Sequence, residues 1–245
     1  MAAASVISPY NLTIRDSCLT CKGHETYMFC KLSRPALQKM EEMKSVAVYP
    51  RGAVLFVEGQ ACRGVFILCQ GRAKLLTSSR DGKTVILRIA QPGEVLGLSA
   101  AVAGRPYMAT AEVTEPTQAN FFRREDFVDF LHEYNEAAYH ASEVLSFDYR
   151  GAFDAMRTLG IGQSVPERLA RLILEWAASA ARDAKNPKPT SIRVPFTHEE
   201  IAELIGASRE TITRLLNDFK RKEMISFSGS TLIILNREGL ERLLS

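Results

Sequence analysis

The sequence predicts an α+β fold, with an antiparallel β-roll first, then a long helix, then a small helical domain that includes a hairpin. Short apolar and β-branched runs between residues 47 and 122 are separated by glycines, which is typical of a small barrel or jelly roll. Apolar residues at spacings of three and four, from about residue 125 to residue 158, predict the long helix. Two short helical segments and a hairpin around Gly229 follow it.

Composition sets the first limits on function. The 245 residues contain 46% hydrophobic and 24% charged side chains, which is ordinary for a globular protein of one or two domains. No apolar run approaches the roughly 18 residues of a membrane span. Residues 1–6 have neither the basic region nor the long apolar core of an export signal. The sequence therefore predicts a cytoplasmic protein with no membrane partner.

Nothing in the sequence indicates an enzyme. The four histidines are scattered and form no pattern with a nucleophile, and no glycine-rich phosphate loop occurs. The net charge is only +3, so overall charge does not indicate a nucleic-acid partner. Positive side chains are instead concentrated between residues 205 and 222, where a phosphate backbone would favour them.

Residues 196–217 predict two helices joined by a tight turn. Thr197 and Glu200 have the spacing of a capping box, which starts the first helix at the residue after Thr197. Gly206 supplies the turn, and Ser208 is a favourable N-cap for the second helix. This is the arrangement of a DNA-binding helix-turn-helix.

The second predicted helix has one apolar face and one polar face. The apolar face is expected to pack inward and contains Ile212, Leu215, Leu216 and Phe219. The polar face offers four side chains that can hydrogen-bond to base edges, namely Arg209, Glu210, Thr213 and Arg214. Double-stranded DNA is therefore the predicted partner.

Residues 201–216 closely resemble the helix-turn-helix of the CRP/FNR family of bacterial transcription regulators, and the order of parts fits that family from about Cys18 onward. The resemblance implies a homodimer that contacts RNA polymerase. It also implies four parts: a leader with a cysteine cluster over 1–31, a β-roll sensor over 32–124, a dimerisation helix over 125–160 and a winged helix-turn-helix over 161–245.

The resemblance also assigns DNA contacts. Arg209, Glu210 and Arg214 resemble the set with which CRP-type members read bases, which implies a palindrome with TGTGA-like half-sites. Thr213 lies beside them and can contact a thymine methyl group. Family positions that contact phosphates are occupied here by Thr197, Ser208 and Thr211.

Three cysteines near the N-terminus indicate a metal or cluster site. Cys18 and Cys21 are separated by two residues, which lets two thiolates share one metal or cluster, and Cys30 follows in the same segment. The oxygen-sensing FNR branch of the family has an N-terminal cysteine cluster of this kind. The resemblance therefore implies a [4Fe–4S] cluster, although the gap before Cys30 is longer than in well-known members.

The fourth ligand has to come from elsewhere in the chain. The distant cysteine of the FNR branch falls near Asn120 or Phe121 here, and neither can replace it. Cys62, in a predicted turn, is the predicted fourth ligand, whereas Cys69 has the strand parity of a buried small hydrophobic residue. Two alternatives remain: a zinc site in which His24 joins the three N-terminal cysteines, and thiols without a metal.

The predicted β-roll resembles the cyclic-nucleotide-binding domain of the family but lacks its ligand-binding residues. Members that bind a cyclic nucleotide have a glutamate for the ribose and an arginine with serine or threonine for the phosphate. Leu98, Tyr107 and Met108 occupy these positions here. Because a buried phosphate without a cation is costly, we expect no cyclic nucleotide unless Arg105 points into the barrel. Another small effector in the β-roll is an alternative signal.

The long helix is expected to pair with a second copy of the chain. Small and apolar side chains repeat at coiled-coil spacing, although the same pattern suits a helix packed on the barrel. The predicted dimer interface consists of Ala138, Ala141, Leu145, Asp148, Ala152 and Ala155. Asp148 would meet its own copy across the two-fold axis, which predicts a weak dimer before the signal arrives.

Overall fold

The computed structural model describes residues 10, 12–78, 84–160, 164–183, 191–194 and 196–244, and it confirms the predicted α+β fold. The side chains at 24, 154–160, 179–183 and 193 lie outside the described part. The chain divides into two compact units, Met1–Asp154 and Ala155–Ser245, a few residues before the predicted boundary at 160. None of the helices within these described ranges is long and apolar enough to cross a membrane.

The first unit contains the β-roll and the helices around it. Its strands are β1 (Ser45–Tyr49), β2 (Val54–Phe56), β3 (Gly64–Gln70), β4 (Ala73–Ser78), β5 (Thr84–Ala90), β6 (Val95–Leu96), β7 (Thr110–Val113) and β8 (Thr117–Arg123). Its helices are α1 (Gly23–Thr26), a 3₁₀ turn (Met28–Cys30), α2 (Arg34–Met43), α3 (Leu98–Ala103), α4 (Arg124–Glu133) and α5 (Asn135–Gly160), the last of which continues beyond the unit.

The strands form two antiparallel four-stranded sheets with the orders β1-β8-β3-β6 and β2-β7-β4-β5, which confirms the predicted β-roll. Strand β3 is buried on both faces, so its sequence is continuously apolar. Val65 and Ile67 pack against α2 and α4, whereas Phe66 and Leu68 join a second core with residues of the other sheet. The predicted turn at Asp81–Gly82 lies outside the described residues.

One face of α5 packs against the β-roll of its own chain, and this is the face predicted to form the dimer. Ala141 and Leu145 belong to the core that also contains α2, α4 and β3. Ala138 is half-buried, Ala152 is exposed, and the side chain of Ala155 lies outside the described part. Two of the six predicted interface residues, Ala141 and Leu145, thus pack within their own chain, while the dimer interface itself stays a prediction.

Asp148 has an ionic partner within its own chain. Its Oδ1 lies 3.0 Å from Nη2 of Arg88 on β5, and Arg88 also pairs with Glu94. Burial raises the pKa of Asp148, while Arg88 lowers it and Glu94 raises it further. Asp148 thus shares Arg88 with Glu94 within its own chain, and the repulsion across a two-fold axis stays a prediction.

A different face of α5 is exposed. We call it the aromatic stripe; its members, at alternating spacings of three and four residues, are Tyr139, Ser142, Ser146, Tyr149 and Phe153. Tyr149 and Phe153 are 71% and 57% exposed, and their rings stack at 6.5 Å. This spacing is that of a coiled-coil seam.

The second unit is a winged helix-turn-helix, as predicted. Its elements are α6 (Val165–Asp183), β9 (Ser191–Arg193), α7 (His198–Ile205), α8 (Arg209–Arg221), β10 (Ile225–Ser228), β11 (Thr231–Ile234), α9 (Arg237–Glu241) and a 3₁₀ turn (Arg242–Leu244). The strands form an antiparallel sheet in the order β10-β11-β9, and the β10–β11 hairpin is the predicted wing. One core joins α6, α7, α8 and the sheet.

Candidate nucleic-acid interface and cysteine cavity

Side-chain caps fix where α7 and α8 begin. Thr197 Oγ1 accepts a hydrogen bond from the Glu200 backbone N–H, and the Glu200 carboxylate accepts one from the Thr197 N–H at 2.9 Å. Gly206 adopts a left-handed φ of 64° in the turn. Ser208 Oγ then accepts a hydrogen bond from the Thr211 N–H. The predicted capping box and N-cap are both confirmed.

Helix α8 buries its apolar face and exposes the face predicted to read bases. Its buried side chains are Ile212, Leu215, Leu216 and Phe219, as predicted. On the other side one open groove is lined by Arg209, Glu210, Thr213, Arg214, Asn217, Asp218 and Arg221. The structure thus brings all four predicted base-reading residues together on one surface.

Three residues of this groove were not in the sequence prediction. Asn217, Asp218 and Arg221 follow Arg214 at spacings of three, four and seven residues, so the helical period alone could have found them. Arg221 Nη2 donates to Asp218 Oδ1 at 2.6 Å, which leaves Arg221 partly neutralised. The arginines nearest the start of α8 are therefore the better donors to DNA.

The charges at the start of α8 suit base recognition. The pKa of Glu210 is lowered because its carboxylate accepts a hydrogen bond from its own backbone N–H and another from Ser208. Glu210 is thus ionised and can accept from cytosine N4, while Arg209 and Arg214 are exposed and can each donate to guanine O6 and N7.

The Thr213 hydroxyl is held within the protein. It donates to the Arg209 carbonyl oxygen at 3.0 Å, and it lies 2.9 Å from Nδ1 of His198 on α7. Because the hydroxyl proton is already used, His198 Nδ1 must be the donor in the second contact. Thr213 can therefore offer DNA its methyl group, and His198 acts as its support.

The hydroxyls predicted to contact phosphates lie at the two helix starts. Thr197 and Ser208 are exposed, and Ser208 Oγ lies 3.1 Å from Thr211 Oγ1. In each cap the hydroxyl oxygen accepts a backbone N–H, while the O–H of Thr197 donates to Glu200 Oε2 at 3.2 Å and Ser208 bonds the Glu210 carboxylate, so a phosphate oxygen would have to replace these acceptors. A helix N-terminus also attracts anions.

In the first unit, an aromatic side chain fills the space between the two sheets of the β-roll. Tyr107 is buried and stacks on Phe56 at 4.1 Å between ring centroids. Its hydroxyl donates to the Gly64 carbonyl oxygen at 2.7 Å and accepts from the backbone N–H groups of Arg63 and Gly64 at 3.2 Å. Burial raises the pKa of Tyr107 to about 12, so it stays neutral.

The other positions of the nucleotide-binding pattern are equally unsuited to a cyclic nucleotide. Arg105 is exposed to solvent, so it does not supply the missing cation. Leu98 is buried in the apolar core, and Met108 is exposed. The positions predicted for the ribose and phosphate contacts therefore present apolar side chains, and the absence of cyclic-nucleotide binding stays a prediction.

Four thiols line one cavity under the N-terminal segment. Cys18, Cys21 and Cys30 come from that segment and Cys69 comes from β3; the cavity they line has a volume of about 30 Å³. Asn120 of β8 also lines it. The structure thus gathers the three predicted N-terminal cysteines and adds a fourth thiol.

Cys62 lies outside this cavity, so the structure does not bring the predicted fourth ligand together with the other three thiols. Its Sγ is 3.5 Å from the Gly64 carbonyl oxygen, beside Tyr107, and it does not line the cavity. The turn that contains Cys62 presents its side chain to the β-roll interior. Cys69, predicted to be only a buried hydrophobic residue, is the thiol that faces the other three.

The thiols are partly buried and have two hydrogen-bond donors near them. Burial raises the pKa of Cys30 and of Cys69 to about 12, so both are protonated, and a metal or cluster would have to displace these protons on binding. Lys44 Nζ and Asn120 Nδ2 lie 3.8 and 3.7 Å from Cys18 Sγ and can donate to it. Such hydrogen bonds to sulfur are among the contacts that tune iron–sulfur clusters.

The donor set can be compared with a single ion and with a cluster. Among the described side chains no three of His, Cys, Asp and Glu converge as they would around one ion, and the His24 side chain lies outside that part. In a [4Fe–4S] cluster each thiolate binds a different iron atom, so the cysteine sulfurs are farther apart than they are around a single metal ion. Four thiols lining one cavity match the number of ligands that such a cluster requires.

Comparison with known proteins agrees with the β-roll and with the helix-turn-helix. Residues 46–134 match the family described as cyclic nucleotide-binding domain, and residues 167–243 match the Crp-like helix-turn-helix domain. This combination defines a DNA-binding transcription regulator and not an enzyme. The chain belongs to the CRP/FNR family of transcription regulators.

Relatives cover most of the chain. The CRP-like cAMP-activated global transcriptional regulator of Mycobacterium tuberculosis is 28% identical over 196 residues, which is 79% of this chain and 85% of that protein. The transcriptional activator protein FnrL of Cereibacter sphaeroides is 24% identical over 230 residues, covering 91% and 89%. The structure of FixK2 from Bradyrhizobium japonicum has the same fold, with a TM-score of 0.71, 22% identity, and coverage of 82% and 98%.

Cyclic AMP is expected to leave this protein unchanged. A ligand at one hundred times its Kd stabilises the folded state by about 2.7 kcal/mol, which raises Tm by several degrees. Because Tyr107 fills the β-roll and Arg105 faces solvent, we expect no such rise with millimolar cyclic AMP. Thermal unfolding followed by fluorescence measures this, with a cAMP-activated regulator as positive control. A saturable rise in Tm would show that Tyr107 moves aside.

Proposed function

We propose that this chain is a homodimeric transcription regulator that reads a palindrome with TGTGA-like half-sites and is switched by oxygen or redox state through a [4Fe–4S] cluster. The observation that carries the signal is the cavity lined by Cys18, Cys21, Cys30 and a fourth thiol. The proposed DNA sequence rests on Arg209, Glu210 and Arg214, which lie together on one exposed face of α8.

The aromatic stripe supports a dimer formed through α5. An exposed row at alternating spacings of three and four, with Tyr149 and Phe153 stacked on each other, is costly to leave in water. Packing against a second copy of α5 would bury it. A two-fold dimer then presents two copies of α8 to successive major grooves, which matches a palindrome. RNA polymerase is the further partner expected of such a regulator.

The cysteine segment is bonded to α5, which gives a route from the cavity to the dimer helix. His140 Nε2 lies 2.9 Å from the Lys31 carbonyl oxygen, next to Cys30. Ser33 donates through its N–H to Glu136 at 3.0 Å, and its hydroxyl contacts the same carboxylate. A shift of the backbone at Cys30 would therefore be transmitted through Lys31 and Ser33 to His140 and Glu136 in the first turns of α5.

The chain's own residues account for the binding of the cluster. The thiols of the cavity would hold it, Lys44 would offset part of the negative charge of the thiolates, and Asn120 would donate to a sulfur. When bound, the cluster supplies a group that reacts with oxygen. Lys44 also bonds Glu41, which accepts from the Cys18 N–H at 2.7 Å, so these residues fix the backbone at Cys18.

Anaerobic purification tests the cluster. The wild-type protein is expected to be brown and to contain about four iron and four sulfide per chain. Cys18→Ser should be colourless, because one of the four ligands is removed. Iron and sulfide analysis with a visible spectrum measures both, and circular dichroism checks that the variant is folded. A wild-type protein that stays free of iron after anaerobic reconstitution would contradict the proposal.

A further inference from the structure

Cys69 occupies an irregular position in β3. In the pairing of β3 with β8, Leu68 lies opposite Ala119 and Gln70 lies opposite Gln118, so Cys69 is the extra residue of a β-bulge. Bulges bend a strand and re-aim the side chain of the inserted residue. Here the bulge lies beside the cavity that Cys69 lines.

The N-terminal segment is bonded directly to this bulge. Arg15 Nη1 donates to the Cys69 carbonyl oxygen at 2.9 Å. The Arg15 backbone N–H donates to Gln118 Oε1 at 2.8 Å, and the Arg15 carbonyl oxygen accepts from Gln118 Nε2 at 2.8 Å. These bonds hold the chain just before Cys18 against β3 and β8, next to Cys69.

The residue at the family's usual cysteine position has an unmet bonding need. Asn120 lies opposite Ile67 on the neighbouring strand and is 2% exposed. Its Nδ2 faces Cys18 Sγ, whereas its Oδ1 is buried without a hydrogen-bond partner. Asn120 Nδ2 can donate to a thiolate, whereas Oδ1 is an acceptor and needs a donor that neither a thiolate nor a sulfide supplies. Position 120 therefore still faces the site although it holds no thiol.

We propose that Cys69 is the fourth cluster ligand. The ligand position then lies on the bulge of β3 and not on the adjacent strand β8, where the FNR branch has its cysteine. Asn120, at that position of β8, donates a hydrogen bond to Cys18 instead. This inference rests on the proposed function. Its support is the shared cavity of the four thiols, the bulge beside it at Cys69, and Asn120 Nδ2, which lines the same cavity and lies 3.7 Å from Cys18 Sγ.

Matched serine variants separate Cys69 from Cys62. Cys69→Ser is expected to lose most of its iron, to below about a quarter of the wild-type content, because only three thiolates remain. Cys62→Ser, an equally small change outside the cavity, should keep the wild-type spectrum and iron content. Equal iron in Cys69→Ser and wild type, or loss of iron in Cys62→Ser, overturns the assignment.

A relocation variant tests the exchange of positions. Adding Asn120→Cys to Cys69→Ser returns a thiol to β8 within reach of Cys18, so we expect iron content and spectrum to recover. If iron stays absent from this double variant while it folds as wild type by circular dichroism, position 120 does not share the site, and the proposed exchange is wrong.

Alkylation of the wild-type protein gives a readout that needs no variant. In the anaerobic, iron-loaded protein, iodoacetamide with mass spectrometry should leave Cys18, Cys21, Cys30 and Cys69 protected. After the iron is removed with a chelator in denaturant, all five cysteines should be labelled. A labelled Cys69 in iron-loaded protein overturns only the ligand assignment, whereas iron-free wild-type protein overturns the proposed function itself.

Discussion

Phe153→Glu is expected to convert the dimer to a monomer and to abolish tight binding to a palindromic site. Phe153 is 57% exposed in the single chain and continues the aromatic stripe from Tyr149. Burying one phenylalanine side chain contributes about 1.5–3 kcal/mol, and a two-fold axis includes it twice. The variant loses both buried phenylalanine side chains and brings two glutamate carboxylates face to face in the interface. Together these changes should weaken dimer association at least about a hundredfold. Sedimentation velocity over a range of concentrations measures the change.

Met108→Glu is the matched control for this variant. Met108 is 71% exposed on the first unit and lies outside the stripe, so the same gain of charge should leave the dimer intact. If Phe153→Glu still forms a dimer of wild-type affinity, the stripe is not the interface. The face that contains Ala152 would then have to be considered again.

The helix-turn-helix could be predicted almost completely because its signals are local. The capping box at Thr197, the left-handed Gly206 and the N-cap at Ser208 each depend on residues within a turn of one another. The base-reading face followed from the helical period. What the sequence could not supply was the contact between His198 and Thr213, because it joins two helices.

The sensor side was less predictable because its decisive contacts are between distant segments. Helix α5 has two faces with coiled-coil spacing, and the sequence cannot say which packs on the β-roll; Ala141 and Leu145 do so, and the stripe does not. Strand parity grouped Cys69 with Ile67 but could not reveal the β-bulge beside the cavity. Tyr107 likewise became a barrel-filling residue only once the sheets were in place.

Arg214→Ala is expected to weaken binding to a TGTGA palindrome by about 1–3 kcal/mol per half-site, which corresponds to about 5- to 150-fold. Arg214 is exposed on α8 between Glu210 and Asp218, and its guanidinium can donate two parallel hydrogen bonds to one guanine. Because alanine cannot distinguish the base pairs, the weaker binding should be accompanied by relaxed preference at that one position. Fluorescence anisotropy on duplexes with each base pair replaced in turn measures both effects.

Arg237→Ala removes the same charge from α9, where Arg237 pairs with Glu241 at 2.7 Å, and should change neither affinity nor preference. The salt dependence separates two roles for Arg214. If Arg214 binds a base, its replacement by alanine changes the sequence profile and leaves the slope of log K against log salt nearly unchanged. If Arg214 binds a phosphate, the replacement weakens binding to all sequences equally and reduces that slope by about one. The second result would move base recognition to Arg209 and Glu210, the remaining pair at the start of α8.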